Sequence, residues 1–157
     1  MDKKQPKLYV LIGVPGAGKS TWVANQEWAK NCAYISTDRI IERYARWVKK
    51  TYTEVFGLYM PRAVNVMVKQ VKHAREHGKD VIWDQTSTSV SSRGNKFRLL
   101  PDYYAIAVVF KTPEKEELER RLASRPGKII PTEVVESMIN RWEDPTEEEG
   151  FKEIWFA

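Results

Sequence analysis

A single cysteine, Cys32, stands in the 157 residues, so no disulfide forms within the chain, and no Cys/His spacing of the zinc-binding kind occurs. No run approaches the roughly 18 consecutive apolar residues of a membrane helix, and the basic start M-D-K-K-Q-P-K is not followed by a signal-peptide core. Internal repeats and low-complexity linkers are missing too. A disulfide scaffold, a zinc module and a helical membrane protein are thereby set aside, and the expectation is a soluble, cytoplasmic protein without a membrane partner. The length suits one well-buried core and falls short of two ordinary domains, so a single domain over 1–157 is expected.

What is present is charge and alternation. Lys+Arg 26 against Asp+Glu 21 gives a net +5, unevenly spread: Arg93–Arg98 and Arg120–Lys128 are basic, and Glu143–Glu153 is acidic. Such a balance fits a polyanionic partner, and equally the solvated faces of any surface.

Short apolar runs at Lys7–Ile12, Ala33–Ser36, Val81–Trp83 and Ala105–Phe110, with a weaker one at Ile154–Phe156, read as strands buried on both faces of a parallel sheet. Amphipathic segments lie between them. Over Arg39–Lys50, Ile40, Ile41, Tyr44, Trp47 and Val48 share one helical face, with Trp47 expected to pack inward; over Arg62–His77, Val64, Met67, Val68 and Val71 do so, and Gly78 supplies the stop. Pro113 and Pro131 sit where helices carrying Leu118 and Leu122, and Val135, Met138, Ile139 and Trp142, begin. Strands alternating with helices predict an α/β fold: a doubly wound parallel sheet of four to five strands, helices on both faces, ligands at the carboxyl ends of the strands.

Gly13-Val-Pro-Gly-Ala-Gly-Lys-Ser20 matches GxxxxGK[ST] at every defined position, directly after an apolar strand and before a helix. The glycines let backbone N–H groups form a phosphate nest at a positive helix end. Gly13, Pro15, Gly16, Ala17, Gly18, Lys19, Ser20 and Thr21 are therefore the candidate ATP contacts, with Lys19 on the β- and γ-phosphates, Ser20 on magnesium and Thr21 beside the α-phosphate. Motors, switches and kinases all use this cradle, so the motif names the donor and leaves the reaction open.

On the acceptor side, Asp38 follows the second strand and is a candidate general base; after Thr37 it reads as well as a helix cap. Asp84 ends the third strand, where a carboxylate organises magnesium or water or holds an acceptor-side cation, a cap being the competing role. Thr86, Ser87 and Arg93 follow in a polar segment suited to an acceptor phosphate. Arg121 and Arg125 border a mobile lid-like loop, 121–130, able to close over the phosphates, although singly each reads as a surface charge. Among the aromatics of Trp47–Met60, Tyr52 and Phe56 are candidates to stack bases, with Lys49 and Lys50 tracking phosphate, or else to join the core.

Taken in order, G-V-P-G-A-G-K-S-T, S-T-D-R, V-I-W-D-Q-T, R-R-L-A-S-R and I-P-T-E-V-V-E-S-M resemble the kinase domain of phage-type polynucleotide 5′-kinases, and the tail D-P-T-E-E-E-G-F-K-E-I is similar to the ending shared by related polynucleotide kinases and neighbouring P-loop kinases. The resemblance covers nearly the whole chain. It implies a P-loop kinase that moves the γ-phosphoryl group of ATP to a 5′-hydroxyl of DNA or RNA in nucleic acid repair, with magnesium and in the host cytoplasm if phage-encoded. It further implies Asp38 as base, Lys19 and Ser20 on ATP and magnesium, Asp84 on the acceptor side, and Arg125, with Arg121, reaching the phosphates from the lid. Where the family carries an arginine for the acceptor's 3′-side phosphate, this chain has Ile41, leaving Arg39 or Arg43 to substitute. With no phosphatase domain before Ala157, kinase activity alone is expected. Two alternatives stay open: a kinase for another hydroxyl (a hydroxymethylated base in DNA, a nucleoside or a small metabolite) and a non-catalytic ATP-dependent nucleic-acid-binding module.

Overall fold

In the computed structural model, which describes residues 4–157, five parallel strands form one sheet. Met1–Lys3, the very start of the basic segment, lie outside the described residues. The strands are β1 (Lys7–Ile12), β2 (Ala33–Ile35), β3 (Val81–Asp84), β4 (Tyr104–Val109) and β5 (Glu153–Phe156), in the spatial order β2-β3-β1-β4-β5. Leu11 stands beside Asp84, and Ile35 beside Trp83. The carboxyl ends of β1, β2 and β3 therefore finish together, and the loops that leave them share one edge.

Both faces of the sheet are covered, as its nearly continuous apolar strands demand. Alternate residues of β1 divide between two cores: Leu8, Val10 and Ile12 pack toward α2 (Thr37–Trp47) and α3 (Tyr52–Glu76), meeting Ile40, Ile41, Met67 and Val71. Tyr9 and Leu11 pack on the other face with Trp22 and Val23 of α1 (Lys19–Ala24) and with Trp28 of a 3₁₀ turn, Glu27–Asn31. A third, small cluster joins Val14 to Leu118 of α5 (Lys115–Ala123) and Val135 of α6 (Thr132–Asn140). It braces the phosphate loop from outside.

Three expectations need correction. Trp47 is 79 % exposed, because α2 ends there and the core-facing residues are Ile40, Ile41 and Ala45. The third helix begins ten residues before Arg62, at Tyr52, on a capping box in which the Thr51 hydroxyl accepts from the Glu54 N–H and the Glu54 carboxylate accepts from the Thr51 N–H. Pro61 lacks only its own N–H rung, and the helix runs on through it; Val64 is exposed, and Ala63, Met67, Val71 and Ala74 form the buried stripe. Finally, the polar segment after Asp84 contains a further helix, α4 (Val90–Leu99), whose Ser89–Ser92 capping box starts it.

Candidate active site

The loop after β1 turns through Gly16 and Gly18 at φ 85° and 97°, conformations side chains rarely adopt. A Cβ on Gly16 would also meet Leu118 at 3.0 Å. Among the described residues, no acceptor takes the backbone N–H groups of Gly16, Gly18, Lys19 or Ser20, which leaves four donors for phosphate oxygens. The loop is fixed at its base by the Gly13 N–H, which donates to the Thr86 carbonyl at 3.0 Å. Lys19 folds back over it, donating to the carbonyls of Gly13 (2.9 Å) and Val14 (3.0 Å). Burial pushes its ammonium down to about 8, against the opposing pull of Asp84 and Asp38. From α5, Arg121 reaches the same loop and donates to the Gly16 carbonyl at 3.0 Å while paired with Glu117. Pro15, Ala17 and Thr21 belong to this loop and the first turn of α1.

Asp84, almost fully buried, accepts from the Ser20 hydroxyl at 3.4 Å and from the Tyr34 hydroxyl on the same oxygen. Burial and the Asp84 charge raise the Tyr34 phenol above its ordinary range, which keeps it a donor. A hydroxyl and a carboxylate oxygen side by side next to a phosphate cradle form a hard donor pair of the kind magnesium takes.

Asp38 lies in the first turn of α2, and the capping role belongs to its neighbour: the Ser36 hydroxyl accepts from the Arg39 N–H at 3.2 Å. The Asp38 carboxylate is thus free for other partners. Tyr52 of α3 donates to its Oδ1 at 2.6 Å, and Lys128 of the loop between α5 and α6 donates to its Oδ2 at 3.0 Å. Partial burial pushes this carboxyl up, but Lys128, the Tyr52 hydrogen bond and Lys19 outweigh it and hold it below its ordinary value. Burial and Asp38 in turn raise the Tyr52 phenol. A polar relay spans from β3 to α2: Trp83 Nε1 donates to the Gln85 side-chain Oε1 at 3.0 Å, and Gln85 Nε2 donates to the Thr37 hydroxyl at 3.1 Å. It locks the residues next to Asp84 and Asp38 to each other.

The structure therefore brings Lys19, Ser20, Asp84 and Asp38 to one edge. Arg125 is half-buried in the loop that follows α5, close enough to Lys19 to oppose its charge. Arg39 stacks its guanidinium 4.1 Å over the Tyr34 ring. Thr86 meets the phosphate loop through its carbonyl. Arg93 does not belong here: it is fully buried, forms a two-pronged pair with Glu149 at 2.6 and 3.1 Å, and donates to the carbonyls of Ser87, Glu143 and Asp144. A guanidinium so paired and wholly buried is not presented to an acceptor phosphate. Tyr34, Gln85, Tyr52 and Lys128 are the participants that sequence reading left without a role at the site or, for Tyr52, gave a stacking role. Only the aromatic-rich spacing around Tyr52 signalled any of them.

Residues 8–145 match the AAA domain family. The chain belongs to that family. Among solved structures, this AAA domain is similar to a candidate kinase from Chloroflexus aurantiacus, 15 % identical, with 98 % of this chain and 88 % of that one covered and a TM-score of 0.73. It is also similar to a chain of the Pnkp1/Rnl/Hen1 RNA repair complex, 23 % identical over 89 % of this chain and 45 % of that one, TM-score 0.68. A gluconokinase from Sinorhizobium meliloti is 16 % identical over 99 % and 83 %, TM-score 0.55. The AAA domain thus has the nucleotide-binding P-loop kinase fold, a parallel sheet with helices on both sides. It spans less than half of the RNA repair chain it matches.

Proposed function

We propose that this AAA domain is an ATP-dependent phosphotransferase that phosphorylates the 5′-hydroxyl of a nucleic acid strand. The observation that carries the reading is Asp38: an uncapped carboxylate on the same strand-end edge as the phosphate loop, held ionised by Lys128, Tyr52 and Lys19. Binding ATP as a structural ligand calls for no such base. The N–H groups of Gly16, Gly18, Lys19 and Ser20 and the Lys19 ammonium hold the donor phosphates, Arg121 and Arg125 flank them, and Ser20 with Asp84 would hold magnesium, which would supply charge neutralisation on the phosphates. An open depression of about 380 Å³ lined by Phe110, Thr112, Ile139 and Trp142 adjoins the phosphate loop, since Phe110 Cβ lies 3.0 Å from where a Gly13 Cβ would stand, and is the candidate place for the donor base.

In the transfer step the acceptor O–H bond breaks as Asp38 takes the proton. The acceptor oxygen forms its bond to the γ-phosphorus while the bond from that phosphorus to the bridging oxygen breaks, and ADP leaves with the electron pair. A nucleic acid acceptor is supported by the outward face of α2, where Arg39, Arg43 and Arg46 are exposed along with Trp47. Trp47 lies nine residues beyond Asp38, roughly 13 Å along the helix, a distance that suits a base stacked downstream of the reacting end.

One observation favours a second reading, a small-molecule kinase. Ile41 is wholly buried and Arg93 is spent on Glu149, so neither presents a cation to an acceptor phosphate. Transfer of labelled γ-phosphate to 5′-hydroxyl DNA and RNA oligonucleotides, hydroxymethylated duplex DNA, nucleosides and gluconate separates the readings. Incorporation into oligonucleotide ends is expected; incorporation confined to gluconate or nucleosides would overturn the nucleic acid assignment.

A further inference from the structure

Lys128 belongs to no motif, yet it gives up most of its contact with water. Its side chain is 10 % exposed, whereas its two ion-pair partners, Asp38 and Glu42, are 52 % and 43 % exposed. The ammonium sits 3.0 Å from Asp38 Oδ2, 3.2 Å from Glu42 Oε1 and 4.5 Å from the centre of the Tyr52 ring. Lysine is a strongly hydrated point charge on a flexible stem. Something must hold it there.

The backbone does so. Gly127, at φ 67°, lies so close to Thr51 that a Cβ on it would meet the Thr51 Cβ at 2.8 Å. The Gly127 carbonyl accepts from the Thr53 N–H at 3.1 Å, and the Thr53 hydroxyl accepts from the Ile129 N–H at 2.8 Å. The strap on either side of Lys128 is thereby pinned to the first turn of α3. That turn also supplies Tyr52, so the two donors that engage Asp38 sit side by side, one from α3 itself and one from the strap docked on it.

We propose that Lys128 is a positioning residue for the acceptor base: docking of the strap on the start of α3 brings its ammonium to Asp38, which orients the carboxylate and keeps it ionised as the acceptor hydroxyl arrives. The proposal rests on the reading of Asp38 as base. With Tyr52 on Oδ1 and Lys128 on Oδ2, each carboxylate oxygen retains a lone pair for the acceptor proton. Lys128 stays protonated throughout and forms no bond to substrate. Once Asp38 has taken the proton, the adjacent ammonium favours its release to solvent and so resets the base. The other groups acting on Asp38 are Lys19 from the phosphate loop and Tyr52 from α3; Glu42 on α2 shares Lys128, and Arg125 acts on Tyr52 and Lys19.

The test has two readouts on Lys128→Met and Lys128→Arg, with folding of each checked by circular dichroism. The first is the carbon-13 titration of the Asp38 carboxyl, which needs no acceptor. The second is the pH profile of kcat with the best acceptor from the transfer panel. In Lys128→Met the titration and the acid limb of kcat are both expected to move to higher pH, with kcat down about twofold or more at the acid end of the profile and close to wild type at pH 8. Lys128→Arg keeps the charge and is expected to restore most of the acid-side activity. An unmoved Asp38 titration, or a loss equal at every pH, would overturn the positioning role. Failure of the underlying reading looks different: Asp38→Asn would then transfer phosphate as the wild type does.

Discussion

Buried cations carry much of what single residues decide here. Arg93 and Glu149 pair inside the protein and tie α4 to the acidic segment that leads into β5. Removing one partner strands the other charge, so Arg93→Met is expected to cost about 3–5 kcal/mol, read as a lowered urea midpoint. Lys96 is the opposite case. It is buried over the Trp83 ring, with the Ser92 carbonyl as its hydrogen-bond partner at 3.1 Å, and burial followed by Arg93 pushes it down to about 8. Below pH 8 both folded and unfolded chains hold the proton, and the cost of the buried charge is fully present. Above it the unfolded chain binds more protons until the ordinary lysine range, so stability rises with pH. Lys96→Met is expected to stabilise the protein by roughly 1–3 kcal/mol at pH 7 and to abolish that alkaline rise, as measured by denaturation from pH 6 to 10. At this scale Lys19, Ser20, Asp38 and Asp84 were legible because they sit in or next to strand-end motifs. Lys128 and Arg93 were not. Nothing local distinguishes a lysine that crosses to another helix, or an arginine that pairs 56 residues away, from a solvated charge.

Among the elements, the strands were legible because buried parallel strands are continuous apolar runs, and β1, β3 and β4 are nearly that. The helices were read less well. The first ten residues of α3 are aromatic-rich and end at Pro61, so their pattern suggests a loop or groove until the Thr51 capping box is recognised. In α4 the buried positions are Arg93 and Lys96, which reverses the polarity that periodicity relies on. The periodicity locates α2 but points its last turn the wrong way: Trp47 faces solvent. That exposure is itself testable. Trp47→Ala is expected to leave the unfolding free energy within about 0.5 kcal/mol of wild type and to raise the KM for oligonucleotide ends, with stacking worth about 1–3 kcal/mol. An unchanged KM would remove α2 as the acceptor track.

The whole molecule places a nucleotide cradle, a hydroxyl–carboxylate pair suited to magnesium and an ionised carboxylate at the carboxyl ends of three neighbouring strands, where a doubly wound sheet binds its ligands. Fold and donor side were readable from one motif and the strand–helix alternation, since both are local patterns. The proposed acceptor side draws on α2, α3 and the strap, and it is readable only once these are packed together. The proposed role of Asp38 is to take the acceptor proton. Its most direct test is single-turnover transfer of labelled γ-phosphate by Asp38→Asn to the best acceptor of the panel, with ATP affinity measured on the same protein. The expected result is a loss of transfer of about 10²-fold or more with ATP affinity within about twofold of wild type; transfer at the wild-type rate, or a parallel loss of ATP binding, would contradict it.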